Sequence, residues 1–370
     1  MSWRRGTLAD FMGDRVVYRN LEPVDDQIDG LRAIWERVGL DHYYVPRKTS
    51  EVYAAAMMAF VAQAQQARGI ARPISRILFV GDTLMNDGTA ARNVGAYLPM
   101  MGFIGADRAA QPAEQRIEDR LLIANRWTML DDFRTWVHGS AFPCDEQTVM
   151  LIDLDKTSLG ARGRNDHVID TARLAAVERT MVGALGESFD REAFKALYDR
   201  LNQPDYHYFT ADNQDYLAYI CLMVSGGVYA TSELWTDLAS GAIDGIETFV
   251  SRCDTRRDKM SSGLAQAQDE VCRGIAAEDP TPFKGFRRGE YFETVAQMDR
   301  LPDDAPYQAV LAHEIVITGE VADLAGEMAA RGVLVFGISD KPDEASIPQP
   351  EDAARGMQPI HRTPMKVYSA

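Results

Sequence analysis

VMLIDLDKTSLG, residues 149–160, decides the fold. Four apolar residues, Val149 to Ile152, run without a polar break into Asp153, and Asp155 and Thr157 follow at alternate positions. An apolar run of this length that ends on a charge reads as a strand buried on both faces, the kind that parallel sheets contain. The pattern recurs. RILFV (76–80) leads into Gly81, Asp82 and Asp87, MMGFI (100–104) is similar, and VLVFGI (333–338) ends at Ser339. DHYYV (41–45) reads as a further strand, with Lys48 just beyond it. Helical patterns lie between, TSEVYAAAMMAFVAQAQQA (49–67) after one strand and VADLAGEMAARG (321–332) before another. Strands alternating with helices predict an α/β fold, a Rossmann-like parallel sheet covered on both faces, with ligands beyond the carboxyl ends of its strands.

Residues 161–311 differ. ARLAAVERTMVGAL, REAFKALYDRL, DYLAYICLMV, ELWTDLASGAI and LAQAQDEVCRGIA all carry helical spacing. They predict an α-helical domain inserted into a core made of 1–160 and 312–370. HGSAFPCDEQ (138–147) reads as a linker inside that core, and the proline-bearing tail from Pro348 as surface coil. The chain has 370 residues, 46% hydrophobic and 25% charged, enough to bury a sizeable core. A net charge of −16 excludes nucleic acid or an anionic membrane as the main partner, because phosphate backbones attract Lys and Arg. Cys144, Cys221, Cys253 and Cys272 are scattered, which excludes a zinc ribbon or a disulfide framework. No apolar run has the length of a membrane span, and MSWRRGTLADFMGD lacks the apolar stretch of a signal peptide, so a cytoplasmic protein is expected.

The strand ends carry the chemistry. On an extended segment, residues i and i+2 point the same way, so Asp153 and Asp155 are expected side by side. Two carboxylates so close repel unless a cation neutralises them. Asp82 and Asp87 add two more, and clustered carboxylates at strand ends suit a hard cation such as Mg²⁺. Taken singly, each residue has a plainer role: Asp82 as a helix N-cap, Ser339 in a turn, Lys48 in solvent. Their shared place at predicted strand ends favours a site that handles phosphate.

LIDLDKT resembles the first motif of the haloacid dehalogenase-like hydrolases, the aspartate-nucleophile phosphatase superfamily. EMAARGVLVFGISDKPDEA resembles the second motif, VPRKTSEVYAAAM the third, and ILFVGDTLMNDGTAARNVG the fourth. GFIGAD and NRWTMLDDFRTWV are similar to the strand and helix that close such proteins. The order here is third, fourth, first, helical segment, second, which is the family order circularly permuted. The resemblance implies Asp153 as nucleophile and Asp155 as general acid and base. It implies Mg²⁺ held by Asp153, Asp155 through its backbone carbonyl, Asp82 and Asp87. Lys48, Ser339 and Thr157 would hold phosphate oxygens. The helical segment would be a substrate-selecting cap, with Arg256, Arg257, Lys284, Arg287 and Arg288 as candidate contacts and Arg287 as a candidate phosphate ligand. Asp212, Asn213 and Gln214 read equally well as an N-cap. The implied activity is Mg²⁺-dependent hydrolysis of a small-molecule phosphate ester through an aspartyl-phosphate. A phosphomutase shares these residues. A phospho-accepting signalling receiver shares most of them but needs neither D-x-D nor a helical insertion.

Overall fold

The computed structural model describes residues 3–370. The chain divides into two compact units, Met1–Thr171 with Thr294–Ala370, and Ala172–Glu293. The strands in chain order are β1 (Arg5–Gly6), β2 (Val16–Val17), β3 (Arg76–Gly81), β4 (Met100–Gly105), β5 (Gln115–Glu118), β6 (Leu121–Ala124), β7 (Thr148–Asp153), β8 (Ile317–Thr318), β9 (Leu334–Ile338) and β10 (Met365–Tyr368).

The first unit is α/β. Its main sheet runs β2-β9-β7-β3-β4-β6-β5, parallel throughout except for β5. Every residue of β7 is buried, so the unbroken apolar run of 149–152 is explained by helices on both sides. Alternate residues serve the two faces. Ile77, Phe79, Val149, Leu151, Leu334 and Phe336 form one core with Met57, Phe60 and Val61 of the helix Glu51–Ala67 and with Ala90, Ala91 and Val94 of the helix Thr89–Gly95. On the other face, Phe133 of the helix Leu130–Gly139 meets Phe103 of β4 with ring centroids 5.9 Å apart. The helix Gly319–Ala330 packs beside it against β9.

Three expectations change. DHYYV is a loop, because Asp41, His42 and Tyr43 are exposed and Pro46 follows at once. The strand at that edge is β2, two valines paired with Gly337 and Ile338. The tail is not only coil: β10 pairs with β1 and β8 in a second, three-stranded sheet. The helical segment expected at 161–311 is a compact unit only over Ala172–Glu293. Residues before and after it belong to the first unit, because buried Asn165 donates to the carbonyls of Leu311 (2.6 Å) and Glu314 (2.9 Å).

The second unit is built of helices around Phe194, Phe209, Tyr219, Met223, Phe249 and Val271. Polar caps start them: Asp190 accepts from Ala193 N, Asn213 from Asp215 N, and Ser261 from Leu264 N. Asn213 is thus a cap, and Asp215 beside it is fully buried. Among the described residues, no helix is long and apolar enough to cross a membrane.

Candidate active site

β7 lies between β9 and β3, so three strand ends converge. Asp153 pairs in register with Ile338, and Val80 with Ile152. Asp153 is the last residue of β7, Ser339 follows β9, and Asp82 follows β3. All three are buried.

Asp87 returns to this point from the turn Leu84–Gly88. One of its oxygens accepts from the backbone N–H groups of Asp82 (3.1 Å) and Thr83 (2.9 Å) and from the Thr83 hydroxyl (3.1 Å). Gly81 permits the approach, since a Cβ there would stand 2.4 Å from the Asp87 Cβ. One carboxylate oxygen each from Asp82, Asp87 and Asp153 lies within 4.8 Å of the others. Lys48 Nζ reaches this cluster, 2.5 Å from Asp153 and 2.6 Å from Asp87. Lys48 itself is buried, two residues before Ser50, whose hydroxyl caps the helix Glu51–Ala67 by accepting from Tyr53 N.

The charges do not balance. Three carboxylates face one ammonium, and Arg162 adds an ion pair to the outer oxygen of Asp82. Burial raises Asp82 to about 7, helped by its neighbour Asp87. Burial also raises Asp153 well above the usual carboxylate range, against the pull of Lys48. Burial works the same way on Asp87, but Lys48 and its hydrogen bonds outweigh it and hold Asp87 low. Burial opposes the Lys48 charge, yet Asp153 and Asp87 hold its affinity for the proton well above that of a free lysine. The cluster therefore keeps protons that a cation would displace.

The donors are all oxygens of the hard type that Mg²⁺ prefers. Two buried hydroxyls near this end, Tyr53 and Thr157, have no hydrogen-bond partner among the described residues. Tyr53 lies in the field of Lys48, Asp340, Asp153 and Asp87. The residues present fit a divalent cation with oxygen ligands.

Asp155 is placed differently from expectation. β7 ends at Asp153, Leu154 N donates to Ile338 O, and Lys156 takes a positive φ of 63°. The D-x-D segment is a turn and not an extended strand. Asp155 is half-buried and outside the three-carboxylate cluster. Thr157 sits inside the same turn, its carbonyl accepting from Thr318 Oγ1 at 2.5 Å. Ser339 is beside β7, and its hydroxyl accepts from Lys341 N at 3.0 Å. Arg287 is buried within the helical unit, held by Asp215 at 2.6 Å and Glu290 at 2.6 Å, so its charge is already matched. Arg256 pairs with Glu233, Arg257 with Asp254 and Asp269, and Lys284 with Asp279. Arg162 was not foreseen. It lies in GARGRND, a segment with no strand or helix pattern, and only the fold carries it to Asp82.

No family model, curated protein or solved structure matches the chain.

Proposed function

We propose that this protein is a Mg²⁺-dependent phosphatase of small phosphate esters, and that its first unit is a circularly permuted haloacid dehalogenase-like core. The observation that carries this reading is Lys48 at 2.5 Å from Asp153, with Asp153, Asp82 and Ser339 at the ends of three adjacent parallel strands. On the same reading the helical unit is the cap that selects substrate.

Asp153 attacks phosphorus. A bond forms from its carboxylate oxygen, and the bond to the ester oxygen breaks. Asp155, half-exposed beyond the strand, gives its proton to that leaving oxygen. Asp155 then takes a proton from water, whose oxygen attacks phosphorus, and inorganic phosphate leaves Asp153 as a free carboxylate. Lys48 favours the charged form of Asp153 against the effect of burial and meets the negative charge of the transferring group. Ser339 and the N–H groups around it hold phosphate oxygens. Asp153, Asp82, Asp87 and the Asp155 carbonyl would hold Mg²⁺, whose charge would ease the approach of one anion to another.

The experiment is phosphate release from p-nitrophenyl phosphate, with and without EDTA, by the parent protein and Asp153→Asn. Sustained, Mg²⁺-restored turnover that Asp153→Asn abolishes is the expected result. Turnover indifferent to EDTA, or full activity in a folded Asp153→Asn, contradicts the reading.

A further inference from the structure

Beside the carboxylate cluster, β3, β4 and β6 end in a cleft of about 220 Å³ with Asp82 in its wall. Its floor is apolar, with Ile104, Ala124 and half-buried Ile123. Its rim is polar: Arg108, Gln111, Glu114 and Gln115 come from the segment that runs from β4 into β5. Among the described residues, these four side chains make no hydrogen bond or ion pair.

The segment is held in place without them. Asn125 accepts from Glu114 N (2.8 Å) and donates to Pro112 O (2.7 Å). Arg126 donates to the carbonyls of Arg108 (2.8 Å) and Gln111 (2.6 Å). Asp107 N donates to Arg162 O, and the Asp107 carboxylate accepts from Arg164 at 2.7 Å. The four exposed side chains therefore sit on a fixed backbone, so binding has to order the side chains but not the loop.

Their chemistry selects a class of ligand. Two carboxylates, Asp82 and Glu114, and two guanidinium groups, Arg108 and Arg116, line the cleft, so its formal charges balance and give a singly charged ligand no net field to answer. Hydroxyl groups both donate and accept, so they can use a guanidinium, a carboxylate and two amides together. The volume lies below the ~300–1,000 Å³ typical of sites for drug-sized ligands, which suits one small ring or chain better than a nucleoside.

We infer that this cleft receives the leaving group of the phosphate ester, and that this group is a neutral polyol of monosaccharide size. The inference rests on the phosphatase reading for the chemistry but not for the binding. Phosphate release is compared for glucose-6-phosphate, 3-phosphoglycerate and phenyl phosphate. The sugar ester should have the highest kcat/KM. In Arg108→Ala and Glu114→Ala, its ratio over phenyl phosphate should fall about tenfold each, the loss of one hydrogen bond to a charged group. A preference for 3-phosphoglycerate, or an unchanged ratio in both variants, overturns the inference. Equilibrium binding of the same esters to Asp153→Asn separates the two ideas. Binding that prefers the sugar ester and weakens in Arg108→Ala supports the cleft even if no ester is hydrolysed. Equal binding of all three overturns it even if all are hydrolysed.

Discussion

Asp82 and Asp153 are two carboxylates that burial has made reluctant to ionise, and Lys48 is the ammonium that holds the cluster together. Asp82 titrates near 7 in the fold and near 3.8 in a free chain. The folded state therefore binds the extra proton between those values. This stabilisation is complete below pH ~4 and is lost as pH rises through ~7. Without metal, thermal stability is expected to fall across that window, and Asp82→Asn should flatten the fall. A melting curve measured at each pH checks this, and a profile identical to the parent's would contradict it. Lys48→Met should leave Asp87 and Asp153 without their cation and lower stability by roughly 3–5 kcal/mol, as when one partner of a buried pair is removed. Chemical denaturation at fixed pH checks it. Asp82, Asp87 and Asp153 were legible because each follows an apolar run at short spacing. The direction of Asp155 was not, since nothing in LIDLDKT signals that the chain turns at Leu154. Arg162 was illegible for a different reason: its partner Asp82 lies 80 residues away in sequence.

At the level of elements, the site depends on one tight passage, the turn that brings Asp87 back over Gly81. Gly81→Ala would drive a methyl group into the Asp87 side chain. A loss of about 1–3 kcal/mol is expected from overpacking, with weaker metal binding. A mutant that melts like the parent and binds Mg²⁺ equally would show that the turn has room. In the helical unit, Arg287 closes a buried network with Asp215 and Glu290. Arg287→Ala should therefore lower the melting temperature rather than change substrate preference, and a change of preference at unaltered stability would return Arg287 to the binding surface. The long apolar strands β3, β4, β7 and β9 were legible, because burial on both faces leaves an unbroken run. β2 was not, since two residues are too few to show a period. DHYYV misled through its aromatic and β-branched residues, which favour strands wherever a neighbour exists to pair with.

For the whole molecule, connectivity and charge give separate predictions. β1 pairs with β10, and the Trp3 and Tyr368 rings lie 6.2 Å apart, so both ends of the described chain meet at one small sheet. A rearranged chain that joins residue 370 to residue 3 by a short glycine-rich linker, and opens at 140–147, should fold with the same cooperative transition, because cuts at surface loops are tolerated where termini are close. Circular dichroism and Mg²⁺-dependent melting check it; failure to fold would show that the present order is needed. A cation that binds only the folded state should stabilise it by about 2.7 kcal/mol at a hundred times its Kd. In Asp87→Asn this gain should shrink or vanish. The parallel sheet and its carboxyl-end site followed from the alternation of apolar runs and helices. The second sheet and the extent of the helical unit did not, because they depend on contacts such as Asn165 to Glu314 that no local pattern carries.

The most direct test of the central claim is the chemistry of Asp153 during turnover. The protein is mixed with p-nitrophenyl phosphate and Mg²⁺, quenched in acid and treated with borohydride, which converts an aspartyl-phosphate to homoserine. Peptide mass spectrometry should find homoserine at position 153, and only when both ester and metal are present. Hydrolysis that proceeds with Asp153 unmodified, or a label on Asp155, Asp82 or Asp87 instead, would contradict the account.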